Sequence, residues 1–124
     1  MQKKRPIHLA LHKIRLPLPG VVSIFHRISG LLLFLALPFF LVLLQNSLSS
    51  EETYSELMDF FGMPLAKIGL FGLLWALLFH TCAGLRYLAI DTHLLSNLKQ
   101  ARESSKVVLL ASFLLTFLIG VRLW

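Results

Sequence analysis

The chain has 124 residues, of which 56% are apolar and 15% charged, and it carries a net charge of +6. That is more apolar surface than one core of this size can hide, so the composition excludes a soluble globular domain and indicates a membrane protein. Nucleic acid is excluded as a partner as well: the basic residues sit at the ends of apolar runs and form no exposed stripe. The single cysteine, Cys82, lies inside an apolar run, which leaves neither a disulfide framework nor a Cys-rich metal site.

Residues 1–20, "MQKKRPIHLALHKIRLPLPG", are basic but lead into no short apolar stretch with a small-residue cleavage site. They are read as mature sequence and not as a signal peptide. They also lack the Ser-rich, Arg-rich amphipathic character of an organelle transit peptide, which favours a bacterial inner membrane. His8 and His12 stand at i and i+4, but two ligands without a third make a poor metal site.

A first span is expected at about 21–48, just after the Pro17-x-Pro19-Gly20 breaker. Ile28 to Ser50 holds 23 residues without a charge, and Pro38 within it is tolerated where neighbouring helices satisfy the freed carbonyl. A loop follows, "NSLSSEETYSELMDFFG", with Glu51, Glu52, Glu56 and Asp59 and no base. The second span is expected at about 64–91, where Ile68 to Leu85 is 18 uncharged residues and "RYLAID" extends it to Asp91. The next loop, "THLLSNLKQARESSK", sets Lys99, Arg102 and Lys106 against Glu103. The third span is expected at about 105–124; Val107 to Val121 is 15 uncharged residues, and Arg122 and Trp124 lengthen it by snorkelling and interfacial anchoring. A crossing helix needs roughly 20 residues.

Before the first span lie Lys3, Lys4, Arg5, Lys13, Arg15 and Arg27, with no acid. This Lys/Arg bias puts the N-terminus and the second loop in the cytoplasm, and the first loop and the C-terminus in the periplasm. The expectation is an all-α membrane protein, a single membrane-anchor domain over 1–124 with three transmembrane helices. Three helices close a bundle poorly, so helices of partner chains and membrane lipid complete it.

Two places stand out. Ser23, His26, Arg27 and Gly30 recur at i, i+3, i+4 and i+7, on one helix face at the inner end of the first span. One reading is an interfacial anchor, in which Arg27 snorkels, Ser23 bonds to its own helix and Gly30 admits a close neighbour. The other is a site: a hydroxyl and a guanidinium one turn apart can bind a quinone carbonyl, and Arg27 can stabilise negative charge on the reduced quinone.

The second place is His80. At ~1.5 Å per residue it lies about 16 Å along the helix from Asp91, near the middle of a ~30 Å hydrocarbon layer, whereas His26 lies near the interface. Gly84, at i+4, leaves room for a flat ring or a close helix. A neutral histidine bonded to a neighbouring helix is one reading. A haem axial ligand is the other, because neutral imidazole binds iron and apolar walls suit a porphyrin. His26 and Arg27 would then stand near the propionates, and a second axial ligand would come from another subunit. Tyr87 and Asp91, at i+7 and i+11 from His80, are either an extension of that polar face or interfacial anchors.

The blocks "RPIHLALHKIRLPLPGVVSIFHRISG" and "HTCAGLRYLAID" resemble the cytochrome b subunit, the large membrane anchor, of succinate dehydrogenase (respiratory complex II). The likeness covers nearly the whole chain. It implies an anchor that, with a small membrane-anchor subunit, holds a flavoprotein subunit and an iron–sulfur subunit and passes electrons from succinate to ubiquinone. It implies quinone-binding roles for Ser23 and Arg27, His80 as one axial ligand of the haem b iron, and His26 and Arg27 beside the propionates. The haem would be shared with the small anchor subunit. Flavin and cluster motifs are absent from this chain, so the dicarboxylate chemistry belongs to partners and no catalytic residue is expected here. The chain departs from the family's usual pattern at Tyr87, where many members have histidine, at Ile90 and at His93, where a small residue is usual. Two alternatives stay open: a fumarate reductase anchor working with menaquinone, and a small helical membrane protein without a redox role.

Overall fold

A computed structural model describes residues 15–123, so His8, His12, most of the basic N-terminal segment and Trp124 lie outside the described residues. Four helices follow in chain order: α1 (Leu18–Ser49), α2 (Glu51–Gly62), α3 (Pro64–Asp91) and α4 (Leu98–Leu123). The three long ones, of 32, 28 and 26 residues, are each long and apolar enough to cross a membrane.

The expected breaker is instead the start of α1. Pro17 is its N-cap and Pro19 falls in the first turn, where a missing N–H is no loss because that donor has no intrahelical acceptor. The helix therefore begins three residues before the expected 21, and it continues through Pro38. α4 also begins early, at Leu98. Asn97 Oδ1 accepts from Gln100 N at 2.8 Å, and Gln100 Oε1 accepts from Ser96 N at 2.9 Å. This reciprocal cap makes the basic segment before 105 helical.

Most of the expected first loop is helix. Ser50 Oγ accepts from Thr53 N and Thr53 Oγ1 accepts from Ser50 N, each at 3.2 Å, which is a capping box. Glu51 and Glu52 lie in the first turn, where the helix dipole favours acids. Thr53 Oγ1 also donates to Asn46 O at 2.8 Å, tying α2 to the end of α1.

α3 ends in a Schellman motif. Leu94 N donates to Ala89 O and His93 N to Ile90 O, both at 3.0 Å. The residue in the left-handed conformation is His93, with φ 61°.

Packing is built on small residues, as expected where lipid offers no hydrophobic contrast. On α4, Ser105, Val108, Ser112, Thr116 and Gly120 are buried. Their hydroxyls bond to carbonyls of their own helix, as in Ser105 to Ala101 O at 2.7 Å and Ser112 to Leu109 O at 2.9 Å. The Phe71 ring of α3 fills the place a Cβ on Gly120 would take. Trp75 stacks on Phe113 with centroids 5.2 Å apart. At the other end of this interface Arg86, buried to 6% exposure, donates from Nε to Ser104 Oγ at 3.0 Å and from a terminal nitrogen to Ala101 O at 3.1 Å. The apolar side chains of α1 mostly face outward; Phe34 is 67% and Leu35 62% exposed. That surface suits lipid and partner helices.

Candidate functional site

The site lies where α1 crosses α3. Val22, His26, Ser29 and Leu33 recur at alternating steps of four and three along the inward side of α1, and Val22 and Ser29 are buried. Phe79 and Ala83 of α3 are buried against this seam and form a core with Val22 and Val108.

Within this seam the imidazoles of His26 and His80 stack, with centroids 4.2 Å apart and planes 8° from parallel. The two histidines therefore share one level. The expectation of His26 at the interface and His80 in mid-membrane is corrected to that extent. The reason is the early start of α1, which puts His26 about 12 Å along the helix from Leu18.

His80 is held by one turn of α1. Its Nδ1 lies 3.1 Å from the backbone oxygen of His26 and 3.1 Å from Ser29 Oγ. A carbonyl can only accept, so Nδ1 is assigned the proton. In the neutral tautomer Nε2 is then the acceptor nitrogen, and it has no hydrogen-bond partner among the described residues. Gly30 completes the cradle: a Cβ there would stand 2.8 Å from His80 Cε1. Gly84 lies beside the other ring at ordinary contact distance, where a Cβ would stand 3.7 Å from His26 Nε2.

Tyr87 packs against the stack, its ring centroid 5.1 Å from that of His26. Its hydroxyl is buried and has no partner among the described residues. The Arg86 guanidinium lies 5.3 Å from the Tyr87 ring centre. Asp91, the other candidate on this face, is exposed and forms no ion pair among the described residues.

The remaining predicted residues divide. Ser23 is half-buried at the edge of the seam, and Arg27 is exposed on the side away from it. Neither has a side-chain hydrogen bond or ion pair among the described residues, so Arg27 is not consumed by the fold. Ser29 and Arg86 stand in the two blocks that carry the family likeness, but sequence reasoning gave them no role, and it missed the contact of Tyr87 with His26. A serine one turn after a histidine reads as bonding its own helix, which it also does, to His26 O at 2.9 Å.

A haem fits these residues. His80 Nε2 has no partner among the described residues, Nδ1 is bound as in metal-ligating histidines generally, and the Tyr87 hydroxyl stands unpartnered among the described residues beside the stack. No group of three His, Cys, Asp or Glu that could hold a bare metal ion occurs among the described residues. Next to Ser29 an apolar groove of about 360 Å³ runs between α1 and α3, with Phe25, Ile28, Gly72, Ala76 and Phe79 among its walls.

Residues 1–119 match the family model described as succinate dehydrogenase/fumarate reductase transmembrane subunit. The chain is 36% identical to the succinate dehydrogenase cytochrome b556 subunit of Coxiella burnetii, covering 100% of both chains. It is 33% identical to the cytochrome b560 subunit of Reclinomonas americana, over 98% of this chain and 88% of that one. It is also 32% identical to the cytochrome b556 subunit of Paracoccus denitrificans, over 92% and 88%.

Proposed function

The chain belongs to the succinate dehydrogenase/fumarate reductase transmembrane subunit family, and on that premise we propose that it is the haem b-binding anchor of a succinate:ubiquinone oxidoreductase in a bacterial inner membrane. His80 would be one axial ligand, through Nε2, with the second supplied by the small anchor subunit. The observation that carries this reading is the Nδ1 bond to the His26 carbonyl, which leaves Nε2 without a partner among the described residues.

The haem, when bound, supplies a one-electron centre. This chain's own groups would hold and orient it. His26 packs on the His80 ring, and His26, Arg27 and the Tyr87 hydroxyl would meet the haem's polar edge. Ser23 and Arg27, near the start of α1 and without side-chain partners among the described residues, would donate to a quinone carbonyl. The guanidinium would hold charge that develops there. Electrons would reach the site from succinate through the flavoprotein and iron–sulfur subunits, against the cytoplasmic side set by the Lys/Arg bias. The relatives named above are succinate dehydrogenase subunits, which supports this direction over a fumarate reductase.

The test is purification from membranes in mild detergent, a reduced-minus-oxidised spectrum, and identification of the attached chains. A b-type spectrum that is lost in His80→Leu, with flavoprotein and iron–sulfur chains attached, is expected. A His80→Leu complex with unchanged haem absorbance overturns the ligand assignment, and absence of both haem and partners overturns the whole reading.

A further inference from the structure

Ser29 is 6% exposed, and its hydroxyl belongs to a closed triangle with two atoms that matter to His80. Oγ is 2.9 Å from the His26 carbonyl oxygen, that oxygen is 3.1 Å from His80 Nδ1, and Nδ1 is 3.1 Å from Oγ. The carbonyl cannot donate, so the hydroxyl proton is the one that fills the Oγ–O side of the triangle. Ser29 then turns its lone pairs toward Nδ1–H. One N–H thus meets two acceptors on a single turn of α1.

A second acceptor does more than satisfy the first bond. Electron density drawn toward the shared proton makes the imidazole a stronger donor at its opposite nitrogen. A stronger axial donor favours the oxidised iron. The ring is already confined by the His26 stack and by the close approach of Gly30, so the hydroxyl is not needed merely to keep it in place.

We infer that Ser29 is a positioning residue that lowers the reduction potential of the haem iron through the Nδ1 proton of His80. This rests on the reading of His80 as axial ligand. The experiment is potentiometric titration of the b-type absorbance in the intact complex carrying Ser29→Ala. Haem is retained and the midpoint rises, so that at fixed ambient potential the reduced-to-oxidised ratio increases at least about threefold, or about 30 mV for one electron. A serine that only packs would lower thermal stability and leave the midpoint where it was, and that result overturns the inference. Where Ser29→Ala fails to assemble or to hold haem, Ser29→Cys decides, because its thiol is of similar size but a weak acceptor. A raised midpoint in that variant supports the inference and an unchanged one overturns it. The two readings separate cleanly: haem that survives His80→Leu removes the ligand assignment, whereas an unmoved midpoint with His80-dependent haem removes only the role of Ser29.

Discussion

Gly30 of α1 touches His80 of α3 so closely that a Cβ on the glycine would stand 2.8 Å from the Cε1 atom of the ring. The ring cannot simply swing away, because Nδ1 is bonded to the His26 carbonyl and the ring face is covered by His26. Gly30→Ala therefore displaces His80 or separates the helices. Alanine favours a helix over glycine by about 1 kcal/mol, so a weaker α1 would not explain the result. The expected outcome is a lowered haem-to-flavin ratio in the purified complex. An unchanged ratio with an unchanged spectrum would show that the cradle is looser than described.

Arg86 makes the buried polar link between α3 and α4, donating to Ser104 Oγ and Ala101 O. Hydrogen bonds from a charged donor contribute about 1.5–3 kcal/mol, and Arg86→Ala is expected to destabilise the solubilised complex by that order. Ser104→Ala removes one of the two acceptors and leaves the carbonyl, so it costs less than Arg86→Ala. Arg86→Lys recovers little, since an ammonium cannot reproduce the two-pronged geometry. Thermal unfolding in detergent measures all three. Equal stability of Arg86→Ala and the parent would remove the link from the account.

Charge-free runs made the three long helices legible, because no soluble fold tolerates them. Which face of α1 meets α3 was not. In a membrane the lipid-facing and protein-facing sides are equally apolar, so hydropathy does not separate Leu33, which faces inward, from Phe34, which faces out. Helical spacing grouped Ser23, His26, Arg27 and Gly30, yet the seam runs along Val22, His26, Ser29 and Leu33 and leaves Arg27 outside it. The link from Ser29 to His80 spans 51 residues and depends on the register of two helices, which neither run encodes by itself. α2 was overlooked because acids at 51, 52, 56 and 59 read as a solvated loop, although two of them favour the helix they begin.

His93 occupies the left-handed position that ends α3, with φ 61° and both Schellman hydrogen bonds formed. A side chain there costs on the order of 1 kcal/mol relative to glycine. His93→Gly is therefore expected to stabilise the fold by about that amount. The measurement is a rise in the thermal midpoint with the haem spectrum unaltered. Destabilisation instead would mean that the imidazole is bound by a partner chain and compensates for the strain.

The quinone role proposed for Ser23 and Arg27 gives a prediction that keeps fold and site apart. Neither side chain has a hydrogen bond or ion pair among the described residues, so Arg27→Ala removes nothing that holds α1 in place. Thermal stability should stay near that of the parent. If the guanidinium meets a quinone oxygen, its loss forfeits a charge-assisted bond of about 1.5–3 kcal/mol, which is a roughly 10–100-fold fall in succinate–quinone turnover at limiting quinone. Ser23→Ala removes a neutral donor and should cost less, while Arg27→Lys should fall between. Succinate oxidation by an artificial acceptor that takes electrons upstream of the membrane site should be unaffected in all three. Normal quinone turnover in both alanine variants would reduce Arg27 to an interfacial anchor, which its exposure equally permits.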